Sequence, residues 1–154
     1  MAMGRTFKED PKRTLIKAKI KAGSIIYLPC NFIIDPHKKF MVVAHVDYTE
    51  ELMLVFLINS QIHPLIEKDP LLMHCQVLLK KTIYTFLDHD SHLNCAKAFD
   101  DVIIDEAVDF LLREPQNYKG HLRDDEILSV IEAVNSTSTI PEYDKDLIIA
   151  SLGG

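Results

Sequence analysis

Apolar residues gather into short runs over the first two thirds of the chain and recur at helical spacing over the last third. Ser24-Ile25-Ile26-Tyr27-Leu28 is β-branched and aromatic, and Pro29 closes it, so it reads as a strand. Phe40 to Val46 and Leu52 to Ile58 are nearly continuous apolar runs separated by Asp47-Tyr48-Thr49-Glu50-Glu51. Both fit central strands buried on each side and joined as a hairpin. A fourth strand, His74 to Leu79, follows a loop carrying Pro64 and Pro70, and a fifth short piece lies around Ser91 to Cys95.

After Ala96 the spacing lengthens from two to about 3.6 residues. Val102, Ile103, Ala107, Phe110 and Leu111 share one helical face that Pro115 ends. Leu122, Ile127, Val130, Ile131 and Val134 form a second stripe behind Asp124, Asp125 and Glu126, acids that suit the positive end of a helix dipole. A last helix is expected over Asp144 to Ser151, stopped by Gly153. Strands in series before helices predict an α+β fold: a small antiparallel β-barrel of about five strands followed by two to three packed C-terminal helices. Residues 1–22 read as a basic N-terminal arm, and 23–154 as a single domain with its barrel over 23–99 and its helical part over 100–154.

Charge changes this picture in one respect. The 154 residues hold 17 Lys and Arg against 23 Asp and Glu, a net charge of −6. That balance opposes broad nucleic-acid affinity, but residues 1–39 carry nine basic and three acidic side chains and 40–154 carry eight and twenty, so one basic surface is still available. No apolar run approaches the ~18 residues of a membrane span, and the first residues lead into charge, so no membrane association and a cytoplasmic location are expected. Cys30, Cys75 and Cys95 stand singly, as buried small hydrophobes do in a reducing compartment.

Candidate chemistry is sparse. A glycine-rich phosphate loop, a Gly-x-Ser-x-Gly elbow and a His-Glu-x-x-His pair are all missing, which argues against nucleotide hydrolysis and serine-hydrolase chemistry. Asp88-His89-Asp90-Ser91-His92, with Asn94, Cys95 and His74-Cys75 nearby, has the donor types for zinc but matches no ligand spacing; turn formation is the simpler reading, and no metal or other cofactor is expected. The remaining candidates lie at strand ends. In a hairpin, the start of one strand and the end of the next share an edge, so His37, Lys38 and Lys39 would meet Asn59 and Ser60. There Lys39 can stabilise a pentavalent phosphate, Asn59 or Ser60 can hold a phosphate oxygen, and His37 can move protons. The same residues also suit solubilising gatekeepers and a turn.

Gly23-Ser24-Ile25-Ile26-Tyr27, Lys39-Phe40-Met41-Val42-Val43 and Phe56-Leu57-Ile58-Asn59-Ser60 together resemble the framework of PemK/MazF-like toxins of bacterial type II toxin–antitoxin systems. Phe86 to Cys95 is similar to a segment of divergent members, and the likeness spans roughly residues 22 to 99. It implies an SH3-like barrel, a homodimer, and a metal-independent endoribonuclease that cleaves single-stranded RNA and is silenced by an antitoxin protein, as part of a toxin–antitoxin or phage-defence system. Lys39 then stands where the family has its catalytic arginine, and Asn59 or Ser60 where it has its threonine, with Lys38, His37 and Lys21 binding substrate. Lysine brings a point charge without the planar fork of arginine. Ser24 replaces the usual acid after the first glycine, and Phe40 replaces a proline. The alternative is a non-catalytic barrel serving as a protein-interaction or regulatory module.

Overall fold

The central apolar runs form a hairpin that is buried on both faces in the computed structural model, which describes residues 10–154. Strand β1 is Ser24–Cys30, β2 is His37–Asp47 and β3 is Leu52–Asn59. The β2–β3 turn is held by the Asp47 carboxylate, which accepts from the backbone N–H groups of Thr49 and Glu50 at 3.0 and 3.1 Å. Strands β4 (Gln76–Leu79), β5 (Ser91–Asn94), β6 (Phe99–Ile103) and β7 (Tyr118–His121) complete a seven-stranded antiparallel sheet. Its path β4-β5-β3-β2-β1-β7 curls as a six-strand half-barrel, with β6 pairing the other half of β3. The sheet therefore has two more strands than the barrel expected from the sequence, and its path ends at β4 and β7 instead of returning on itself. Register shifts at Ile25/Ile26, Val43/His45 and Met53/Val55 supply local bends of the kind that curl a sheet.

Alternation along the strands sorts the side chains into two cores. Leu54, Phe56 and Ile58 join Val42, Ala44 and Ile25 on one face, covered by α5 (Asp124–Ser136) and α6 (Glu142–Gly153). Met53, Val55 and Leu57 join Met41, Val43, Ile26 and Leu28 on the other, covered by α4 (Ile104–Arg113). Helical cover on both faces explains why β2 and β3 read as continuous apolar runs, a pattern more usual in parallel sheets. Two short helices, α2 (Pro64–Glu67) and α3 (Pro70–Met73), occupy what the sequence presents as a proline-bearing loop.

The basic arm is also structured where it is described. Residues 1–9 lie outside the described residues, but Pro11–Lys19 is a helix, α1, started by the Asp10 carboxylate accepting from Lys12 N–H at 2.9 Å. It docks on α4 through charge: Arg13 bonds Asp109 and Asp105, the latter at 3.2 Å, and Lys17 lies 3.7 Å from Asp105. The basic first quarter and the acidic remainder of the chain thus partly neutralise each other within the fold. At the other end of the domain, the buried Lys145 ammonium donates to the Thr137 carbonyl at 2.8 Å, satisfying the C-terminus of α5.

Gly23 turns the chain from α1 into β1 with φ of +93°, and a β-carbon there would run into the His121 ring. Its backbone is fixed on both sides, its N–H donating to Val43 at 2.7 Å and its carbonyl accepting from Leu122 at 2.9 Å. Gly23→Ala is therefore expected to lower the unfolding free energy by about 1–3 kcal/mol, through left-handed strain and the displaced ring. Urea denaturation of the two proteins checks this.

Candidate functional site

The site grows out of the β2–β3 register. Met41 pairs with Leu57, and two residues further along Lys39 stands across from Asn59. The Lys39 ammonium donates to the Asn59 side-chain oxygen. On its other side Lys39 pairs with Leu28 of β1, while Asn59 pairs with His92 of β5. One row beyond Leu28 on the same face lies the buried thiol of Cys30.

Lys39 is half-buried, and the loop that follows β1 leaves that strand at Cys30, next to it. Phe32 of that loop stacks on Phe99 of β6 with ring centroids 5.1 Å apart. β1 and β6 flank β2 and β3 on opposite sides, so this ring contact straps the loop across the face. Burial lowers the proton affinity of Lys39 below its ordinary value, and the neighbouring Cys30 works against that shift. Burial pushes the Cys30 thiol up, opposed by the Phe32 backbone and Lys39 and reinforced by Asp101. The thiol is thus held protonated and places no negative charge beside the ammonium.

With its oxygen engaged by Lys39, the Asn59 amide presents its N–H donors to an incoming acceptor. An ammonium beside amide donors, on strands that leave both residues half-exposed, is suited to hold the oxygens of a phosphodiester. Ser60 follows directly, exposed, and its hydroxyl makes no hydrogen bond among the described residues. His37 is exposed at the same edge, its Nδ1 2.5 Å from the Asp35 carbonyl.

The other sequence candidates are placed elsewhere. Lys38 turns away to Glu114, 3.8 Å distant, and lies over the rings of Phe110 and Tyr27 at 5.2 and 5.9 Å. Lys21 is exposed in the turn before β1, which its carbonyl closes by accepting from Ser24 N–H at 2.9 Å, towards the opposite end of that strand from Leu28, the partner of Lys39. Arg13 and Lys17 are engaged by α4, and Lys19 lies 4.4 Å from the Tyr118 ring centre. Much of the basic surface expected to draw in a polyanion is therefore spent on docking α1.

The segment before His92 forms a turn. The Asp90 carboxylate accepts from Lys81 N–H at 2.8 Å, and the Ser91 hydroxyl donates to the His89 carbonyl at 2.9 Å. Among the described residues no group of three or more His, Cys, Asp or Glu is placed to hold a metal ion. His92 itself, beside Asn59, is the site neighbour that sequence reasoning did not bring to this rim. Ser91 and Leu93 on either side of it are buried and turn it outward, and only the pairing of β5 with β3 brings it to Asn59.

A cleft of about 340 Å³ lies close by, between the end of β1, β6 and α4. Leu28, Phe32 and Phe110 line it together with Asp101, Glu106 and Arg113, while Lys39 and Asn59 do not. Its acidic character suits a cationic occupant better than a phosphate. Among the described residues no helix is long and apolar enough to cross a membrane. Comparison with protein-family models and with curated proteins finds no match, so the chemistry of this rim rests on its own side chains.

Proposed function

We propose that this chain is a toxin-like, metal-independent endoribonuclease that cleaves single-stranded RNA at the Lys39–Asn59 rim, its half-barrel being a divergent SH3-like barrel. The observation that carries the reading is the hairpin register that joins the Lys39 ammonium to the Asn59 amide on a half-open surface. In the proposed reaction the ribose 2′-hydroxyl attacks the adjacent phosphorus. Lys39 offsets the charge gathering on the non-bridging oxygens, and Asn59 or the neighbouring Ser60 holds one of them. The products are a cyclic phosphate and a 5′-hydroxyl. An antitoxin protein covering the rim, and a homodimer, belong to the same reading.

A second reading, a non-catalytic interaction module, draws on the acidic cleft between β1, β6 and α4, whose Asp101 and Glu106 complement a basic peptide segment. Incubation with single-stranded RNA in EDTA at low salt, followed by mapping of fragment ends, separates the two. New cyclic-phosphate ends that disappear in Lys39→Ala and Asn59→Ala support the enzyme. RNA left intact across varied sequences, with no antitoxin present, removes the enzyme and leaves the module.

A further inference from the structure

We propose that His92 is the proton acceptor in this cleavage, the third member of a Lys39–Asn59–His92 row that crosses β2, β3 and β5; the assignment rests on the ribonuclease reading. Asn59 and His92 are direct register partners. In β5 Ser91 and Leu93 are buried and His92 and Asn94 half-exposed, and Leu93 belongs to the core of Phe56 and Ile58 under α5 and α6. His92 therefore lies on the opposite face, the one that carries Asn59 and Lys39. Directly opposed residues on one face keep their β-carbons about 4.5–5.5 Å apart, which sets the imidazole beside the amide that already holds the ammonium.

Few groups compete for that imidazole. On β4 its partner is Leu78, an apolar side chain 46% exposed. Gln76 and Asn94, one row away, are bonded to each other at 2.9 Å. The charged groups nearest on the row's own face are Lys39 across β3 and, two residues back, Asp90 just before β5, whose carboxylate is engaged by Lys81 N–H, with Lys80 two positions beyond Leu78 at the end of β4. His37, a second imidazole near this end of the sheet, stands at the far side of Lys39, opposite Cys30 of β1, with its Nδ1 against the Asp35 carbonyl.

An imidazole placed within reach of a phosphodiester held by Lys39 and Asn59 can take the proton that the ribose hydroxyl must lose. A ring nitrogen of His92 accepts the 2′-hydroxyl proton as the 2′-oxygen bonds to phosphorus. The bond from phosphorus to the 5′-oxygen breaks, and that oxygen takes a proton from water. The hydroxide left behind receives the proton carried by the imidazolium, which restores the starting state.

The test follows kcat/KM for a single-stranded RNA in EDTA across about pH 5 to 8, the range in which an imidazole ordinarily titrates. Wild type, His92→Gln and His37→Gln are compared, along with His92→Ala with and without added imidazole. All are assayed at a temperature where thermal melting shows them folded. Binding is read separately with a 2′-O-methyl RNA, which cannot be cleaved by this route. His92→Gln is expected to lose about 10²- to 10⁴-fold in kcat and its pH dependence, with unchanged binding of the 2′-O-methyl RNA. Imidazole should restore part of the His92→Ala rate. If wild type cleaves but His92→Gln keeps the full rate and pH profile, or the profile is lost in His37→Gln instead, the assignment is overturned and the ribonuclease reading stands. A wild-type protein that cleaves no RNA overturns both.

Discussion

Lys39→Met is expected, on the proposed ribonuclease reading, to lower RNA cleavage by about 10²- to 10³-fold while leaving the melting temperature at or above that of the wild type. The two effects have opposite physical origins. Under the proposed reading, cleavage suffers because the Lys39 ammonium faces the phosphate oxygens, and methionine offers them nothing. Stability does not suffer because a half-buried charge carries a desolvation penalty, visible in the lowered proton affinity of Lys39. Methionine keeps much of the stem while removing that penalty. Asn59, itself only half-buried, replaces the lost donor with water. The sign of the pH dependence follows from linkage. A lysine whose folded affinity lies below its ordinary 10.5 binds fewer protons folded than unfolded in that interval. Wild-type stability therefore gains on Lys39→Met as pH rises from the folded value towards 10.5. Parallel melts and cleavage assays would expose a merely structural lysine, which would lose stability and activity together.

Phe56→Ala is expected to destabilise the protein by about 3–5 kcal/mol, a large share of the roughly 5–15 kcal/mol that holds such a domain folded. Phe56 is fully buried at the middle of β3, paired with Val42 of β2, in the core that β4, β5, α5 and α6 share. Few neighbours can collapse into the space it leaves, because the strand is fixed by ladders on both sides. Its melting temperature should fall by roughly 10 °C or more. Leu128→Ala, a change at a side chain 68% exposed on α5, is the control and should stay within about 0.5 kcal/mol. A Phe56 variant as stable as that control would mean that β3 is not the central strand.

How much of this was legible in the sequence depended on whether the cause was local. The β2–β3 hairpin was, since two continuous apolar runs around an acidic turn admit few other arrangements, and with it came the meeting of Lys39 and Asn59. The stripe of Ile127, Val130 and Val134 likewise marked α5. Beyond the two short helices of the proline-bearing loop, three elements were hidden. In β6, Val102 is its one buried residue, so its Phe-Asp-Asp-Val-Ile carried no alternation strong enough to separate it from the helix that follows. Tyr-Lys-Gly-His of β7 has one apolar ring and is placed by pairing with β1. The helix α1 buries no residue of its own, so its polar sequence read as a solvated arm until the acids of α4 gave its cations partners. His92 belongs with these, because only a long-range strand pairing sets it beside Asn59.

The helical cover over the sheet runs out where Lys39, Asn59 and His92 lie, at the ends of strands whose middles are filled by two separate cores. Substitutions at this margin alter what the surface can do without disturbing the packing beneath it. A lineage could exchange arginine for lysine here, or threonine for asparagine, and keep its scaffold intact. Chemistry in such a molecule can drift faster than architecture.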